Sequence, residues 1–127
     1  MDAATAARNW IDGWLRAWPA RDVDGIAAMY AEGAVYSSHP FRPPETARSY
    51  VESAFGEEDL VQAWFGEPVV SGNRAAIEYW AILRGDDEVT VAGTSMLRFD
   101  PDGRVRDHRD YWVQVDERRE PPPGWGH

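Results

Sequence analysis

Apolar positions in the first part of the chain recur at helical spacing. Ala7, Trp10, Ile11, Trp14, Leu15 and Trp18 fall on one stripe, which predicts a helix over residues 3–18. Pro19, lacking an N–H, is expected to end it. Asp22 is placed to cap a short second helix over residues 23–30, with Ile26, Met29 and Tyr30 turned inward. A short strand at residues 35–38 precedes His39-Pro40-Phe41-Arg42-Pro43-Pro44, a rigid loop because each proline also restricts its predecessor. A third helix is predicted over residues 45–55, with Tyr50, Val51, Ala54 and Phe55 as its apolar side and Gly56 as its C-cap.

Beyond Gly56 the period shortens to two. Residues 60–65, 74–83, 88–99 and 104–115 read as strands. Gly66-Glu67-Pro68 interrupts the first as a bend, after which Val69 and Val70 resume extended chain. Ser71-Gly72-Asn73, Gly85-Asp86-Asp87 and Asp100-Pro101-Asp102-Gly103 supply turns. Residues 117–127 form a Pro/Gly-rich tail, expected to be non-regular and partly mobile. Helices followed by a meander of long strands predict an α+β fold, with the helices on one face of a mostly antiparallel sheet. No repeat or linker divides residues 1–127, so one domain is expected.

The last hairpin, residues 93–112, carries the candidate chemistry. His108, Asp110 and Trp112 share one face of the final strand, and Ser95, Leu97 and Phe99 share one face of its partner. Two readings are open. An imidazole beside a carboxylate can pass a proton near neutral pH if the pair lines a pocket. Against that, Arg104, Arg106, His108, Asp110 and Gln114 make this the more polar face, and Val105, Tyr111, Val113 and Val115 make the other apolar. Alternation alone buries the second face. A polar-lined cavity inside and a dimer interface outside would reconcile the two. Glu78 is a second anomaly, a lone carboxylate in the apolar strand AAIEYWAIL. It is expected to need a buried partner such as His108 or Ser95, and reads equally as a proton donor or a structural acceptor.

Composition narrows the classes. With 13 basic and 22 acidic residues the net charge is −9, a poor match for nucleic acid or an anionic membrane. There is no cysteine, so disulfides, thiolate catalysis and Cys-ligated metals are excluded. The N-terminus has no signal-peptide pattern and no apolar run approaches bilayer length, so a cytoplasmic protein is expected. The three histidines are scattered, without metal-ligand spacing, so no metal is expected.

The order of elements resembles the nuclear transport factor 2-like superfamily, which includes ketosteroid isomerases and SnoaL-like polyketide cyclases. Three stretches carry the resemblance. They are Asp22-Val23 through Met29-Tyr30-Ala31-Glu32, then Ser38-His39-Pro40-Phe41, and Leu97-Arg98-Phe99-Asp100-Pro101-Asp102-Gly103-Arg104-Val105 followed by Tyr111-Trp112. The resemblance implies a cone-shaped roll, a strongly curved sheet wrapped around the N-terminal helices and enclosing a pocket for a small apolar molecule. It places Trp14 where the isomerases have a catalytic tyrosine, His39 at their base aspartate, and Ser95 at their oxyanion-hole acid. His108, Trp112 and Val91 fall on the pocket wall, and Glu78 and Trp80 on the neighbouring strand's pocket face. Asp110 resembles the acid/base aspartate of the SnoaL-like cyclases.

Trp14 and Ser95 cannot replace the two strong oxyanion donors, which argues against steroid isomerase activity. The resemblance implies no cofactor. It leaves three readings: an acid/base cyclase, isomerase or dehydratase using Asp110 and His39, tuned by His108 and Glu78; a non-catalytic small-molecule binder; or a structural dimer module. A homodimer through the outer sheet face is also implied, with Ile77, Tyr79, Ala81 and Tyr111 on that face.

Overall fold

The computed structural model describes residues 1–127. Asp2 caps the first helix, its carboxylate accepting from the Thr5 N–H at 2.8 Å. This helix, α1 (Ala3–Ala20), buries Ala7, Trp10, Ile11 and Trp14 of the expected stripe, while Trp18 is half-buried and Leu15 is exposed. Pro19 does not end it. The chain runs one residue further, and Arg21, in the left-handed region at φ 52°, closes it by donating to the carbonyls of Ala17 and Trp18. Proline is tolerated there because only one hydrogen bond of the last turn is lost.

Asp22 caps α2 (Val23–Ala27) as anticipated, accepting from Gly25 N. The helix stops before Tyr30, which instead opens strand β1 (Tyr30–Ser37). Thr46 caps α3 (Ala47–Glu57), and Gly56 lies inside that helix rather than capping it. Five more strands follow: β2 (Asp59–Phe65), β3 (Val69–Ser71), β4 (Arg74–Arg84), β5 (Glu88–Phe99) and β6 (Val105–Val115).

The sheet order is β1-β6-β5-β4-β2, with β3 paired to β4. All pairings are antiparallel except β1 with β6, which is parallel. The fold is therefore α+β with a mixed, mostly antiparallel six-stranded sheet. One sheet face packs on α1 in a single core containing Trp10, Trp14, Ile77, Leu97 and Phe99. No helix is long and apolar enough to cross a membrane.

A bulge decides which face of β6 points inward. Phe99 pairs with Val105 while Arg98 pairs with Asp107, leaving Arg106 as the extra residue. The inserted residue shifts the alternation by one position. Val105, His108 and Asp110 are thus all buried, whereas Arg106, Arg109 and Tyr111 are exposed. Strict alternation, which would have turned the valines inward, fails at this one residue.

The tail is non-regular, as expected, but it is docked. Thr90 Oγ1 donates to the Glu117 carbonyl and accepts from Arg119 N, and the Trp80 indole donates to the Arg119 carbonyl at 2.8 Å. Trp125 packs edge-on against Trp80, and Glu67 N donates to the Gly126 carbonyl. Gly66 and Gly126 meet so closely that a Cβ on either would fall 2.9 Å from the other's Cα. The tail shelters the outer side of β4, where Trp80 lies and where Ile82 pairs with buried Thr90.

That docking corrects the reading of β4. Ile77 and Ala81 are buried, and Tyr79, Ala81 and Leu83 line the interior cavity. Glu78 and Trp80 lie on the opposite face, Glu78 exposed to solvent. Both faces of this strand are apolar because both are covered, one by α1 and the cavity, the other by the tail. The hydrophobic pattern therefore carried no direction. Of the residues expected on an outer dimer face, only Tyr111 is there.

Candidate active site

Inside the curved sheet is a cavity of about 310 Å³. Trp10, Trp14 and Trp18 of α1 wall one side, and Tyr50, Ala54 and Phe55 of α3 another. The sheet contributes Tyr36, Phe65, Tyr79, Val91, Ser95, His108, Asp110 and Trp112.

The polar end is a chain of hydrogen bonds built from three strands and one helix. Trp10 Nε1 donates to Tyr30 Oη at 3.2 Å. Tyr30 Oη lies 2.7 Å from His108 Nδ1, and His108 Nε2 lies 2.6 Å from Asp110 Oδ1. Ser95 Oγ donates to the same Asp110 oxygen at 2.6 Å, and Tyr36 Oη donates to Oδ2 at 3.2 Å.

The donor inventory fixes the direction of this chain. An indole N–H can only donate, so Tyr30 oxygen accepts from Trp10 and sends its own proton to His108 Nδ1. His108 then carries its proton on Nε2, aimed at Asp110. A buried carboxylate is costly unless its oxygens are hydrogen-bonded, and Asp110 has three donors. A carboxylate accepts at about four lone-pair positions. The unfilled one is on Oδ2, on a side chain that lines the cavity.

The phenols around the carboxylate are held protonated. Burial, reinforced by the Asp110 charge, pushes Tyr36 well above the ordinary phenol range. Burial likewise raises Tyr30, Tyr50 and Tyr79. The Tyr36 ring lies 4.0 Å centroid to centroid from His108 and stacks on Tyr50 at 4.6 Å, wedging the imidazole in place.

The site residues read from sequence divide clearly. Asp110, His108, Ser95, Val91, Trp14 and Trp112 line the cavity. Trp112 also donates to the Ser38 carbonyl at 2.6 Å, tying β6 to the end of β1. Glu78 and Trp80 are on the other side of the sheet. His39 is outside the cavity, its Nδ1 accepting from Phe41 N and its ring edge-on to Trp112. The proline-rich loop turns its ring toward its own backbone, so it does not join the cavity-lining residues. Trp14 Nε1 is buried near the Tyr30 hydroxyl without forming a hydrogen bond.

Four contributors escaped the sequence reading: Trp10 as a donor, Tyr30, Tyr36 and Tyr50. Trp10, Tyr30 and Tyr50 were recognised as apolar positions, but their polar atoms were not. Tyr30 was assigned to a helix, and the parallel pairing of Tyr36 with His108 joins residues 72 positions apart. Two buried tyrosines in one short segment, Tyr30 and Tyr36, were the available signal, since a buried phenol hydroxyl generally finds a partner.

Solved structures share this architecture at low sequence identity. An LEH-like epoxide hydrolase from M. tuberculosis superposes with a TM-score of 0.71 at 18% identity, over 87% of this chain and 84% of that one. The epoxide hydrolase/cyclase-like enzyme SalBIII, which takes part in pyran ring formation in the polyether salinomycin, superposes with a TM-score of 0.77 at 17% identity, over 89% and 95%. At such identities the likeness shows the fold. No curated protein matches the sequence. The family model of the SnoaL-like domain matches residues 11–108, from the middle of α1 to His108, and the chain belongs to that family.

Proposed function

We propose that this protein is a cofactor-independent acid/base enzyme, a cyclase, isomerase or dehydratase, acting on a small and largely apolar oxygenated molecule held inside the cone. One observation carries the reading. Asp110 is a nine-tenths buried carboxylate at the polar end of an aromatic cavity, held by three donors and left with one acceptor position. A substrate O–H or acidified C–H placed at that position gives up its proton to Oδ2. The same oxygen returns a proton later in the cycle. His108 fixes Asp110 from the other oxygen and is itself fixed by Tyr30, so the base is oriented before substrate arrives. The names of the two similar solved structures, an epoxide hydrolase and an epoxide hydrolase/cyclase-like enzyme, favour ring opening or closure among the three.

The second reading is a non-catalytic binder. It is supported by the completeness of the hydrogen-bond chain, since a fully bonded histidine such as His108 can serve simply as scaffold. Asp110→Asn separates the two. With a panel of apolar carbonyl and epoxide compounds, binding is followed by tryptophan fluorescence and conversion by NMR. The enzyme reading expects conversion of at least one compound, lost by a factor of about 100 or more in the variant, with affinity kept within a few-fold. Binding without conversion by the unmodified protein establishes the binder instead.

Dimerisation through the outer sheet face remains part of the proposal, with Tyr111 and Val113 in place of Ile77, Tyr79 and Ala81. These two residues are 45% and 72% exposed beside the Thr94 and Ala92 positions of β5. Light scattering at micromolar concentration tests it, and a monomer refutes it.

A further inference from the structure

The charges around the cavity are unbalanced. Asp110, Glu45, Glu57 and Glu58 line it, against a single cation, Arg42. None of the three glutamates is ion-paired: Glu45 accepts from Ser49 Oγ and Glu57 from Ser53 Oγ. Arg42 is already engaged, its guanidinium 5.3 Å from the centroid of Trp112 and 3.4 Å from Ser38 Oγ. The chain has no lysine, so no protein amine is there to neutralise the acids or to form a Schiff base.

The remaining wall is aromatic. Trp10, Trp14, Trp18, Tyr50, Phe55 and Trp112 surround the space. The faces of indole, phenol and phenyl rings carry negative potential and attract cations. Tyr50 lies in the wall within reach of these charges. After burial, the Asp110 charge is the largest influence raising its phenol; Arg42 opposes, and Glu45 and Glu57 add to Asp110. An anionic ligand would enter against this field, and a neutral one would gain nothing from it.

We propose that the cone binds a small organic cation, an apolar ammonium or iminium compound, with the aromatic walls around its carbon groups and the cavity carboxylates opposing its charge. The inference rests on the reading of this cavity as the working site and names its ligand class. A cation beside Asp110 also suits the acid/base step, because positive charge acidifies the neighbouring C–H or O–H that the carboxylate takes. The net charge of −9 draws such a ligand toward the protein from a distance.

The test uses three probes of one shape: phenyltrimethylammonium, the neutral isostere tert-butylbenzene, and benzenesulfonate. Affinities for the full-length protein are measured by tryptophan fluorescence and calorimetry at neutral pH. The expected order is cation, then neutral, then anion, with the cation preferred over its neutral isostere by about tenfold. That preference shrinks with added salt. It narrows by about two- to five-fold in the double variant Glu45→Gln, Glu57→Gln, which alters half-buried and exposed side chains and so preserves the fold. Neutral or anionic probes binding as tightly as the cation overturn the inference while leaving the acid/base reading of Asp110 intact. Absence of binding by all three overturns both.

Discussion

Removing the hydroxyl of Tyr30 is the most informative single perturbation of the hydrogen-bond chain. In Tyr30→Phe the ring and its packing are kept, but two buried groups lose their partner at once. Trp10 Nε1 loses its acceptor, and His108 Nδ1 loses its donor. His108 is only 1% exposed and Trp10 3%, so water cannot substitute without repacking. Each orphaned group costs about 1–3 kcal/mol, so the variant should lose about 2–6 kcal/mol. That is a large share of the roughly 5–15 kcal/mol by which a domain of this size is stable. Urea denaturation reads it directly. With m near 1–3 kcal/mol/M, the midpoint falls by about 0.7 M or more at unchanged m. A loss under about 0.5 kcal/mol would refute the network. NMR of the histidine ring nitrogens gives an independent check. The donor inventory places the proton of His108 on Nε2, and a proton found on Nδ1 would reverse the chain and sink the argument.

Three further outcomes follow from the same contacts. Tyr30, Tyr36, Tyr50 and Tyr79 all have folded pKa values raised above the unfolded phenol value near 10, so their contribution to stability is complete below pH 10 and is lost as pH rises beyond it. Each contributes a slope of about −1.4 kcal/mol per pH unit there, and the four together should unfold the protein between about pH 11 and 12. Circular dichroism that stays native at pH 12.5 would contradict this. Glu78→Gln should change stability by under about 0.5 kcal/mol and leave ligand affinity unaltered, because the side chain faces solvent outside the sheet. A larger loss in a denaturant titration would return Glu78 to the interior. Trp125→Ala should cost about 1–3 kcal/mol and free residues 117–127 to proteolysis, through loss of the Trp80 pair and exposure of the outer face of β4. A tail equally resistant in both proteins would show that Trp125 is not its anchor.

How much of this could be read from the chain differs between elements. The N-terminal helix was legible because its apolar residues make one stripe and its opposite side is polar, so a single periodicity names both structure and orientation. The final hairpin was legible as a pair of strands from its turn chemistry, and His108, Asp110 and Trp112 were correctly placed on one face. Which way that face pointed was not legible. One extra residue at Arg106 rephases Val105 against His108, and nothing in the local sequence distinguishes a bulged arginine from a paired one. The resemblance to the SnoaL-like family supplied the direction that the alternation withheld.

By itself the sequence determined the fold class, the order of elements and the absence of thiol chemistry. These are consequences of composition and of short-range periodicity, which act within a few residues. The tertiary structure decided the rest. It alone brought Tyr30 and Tyr36 beside His108 through a parallel pairing, turned Glu78 outward, withdrew His39 onto its own loop and laid the tail across β4. Each of these depends on what covers a surface from far along the chain. A strand apolar on both faces, or a histidine in a proline-rich loop, records no preference until that cover is in place.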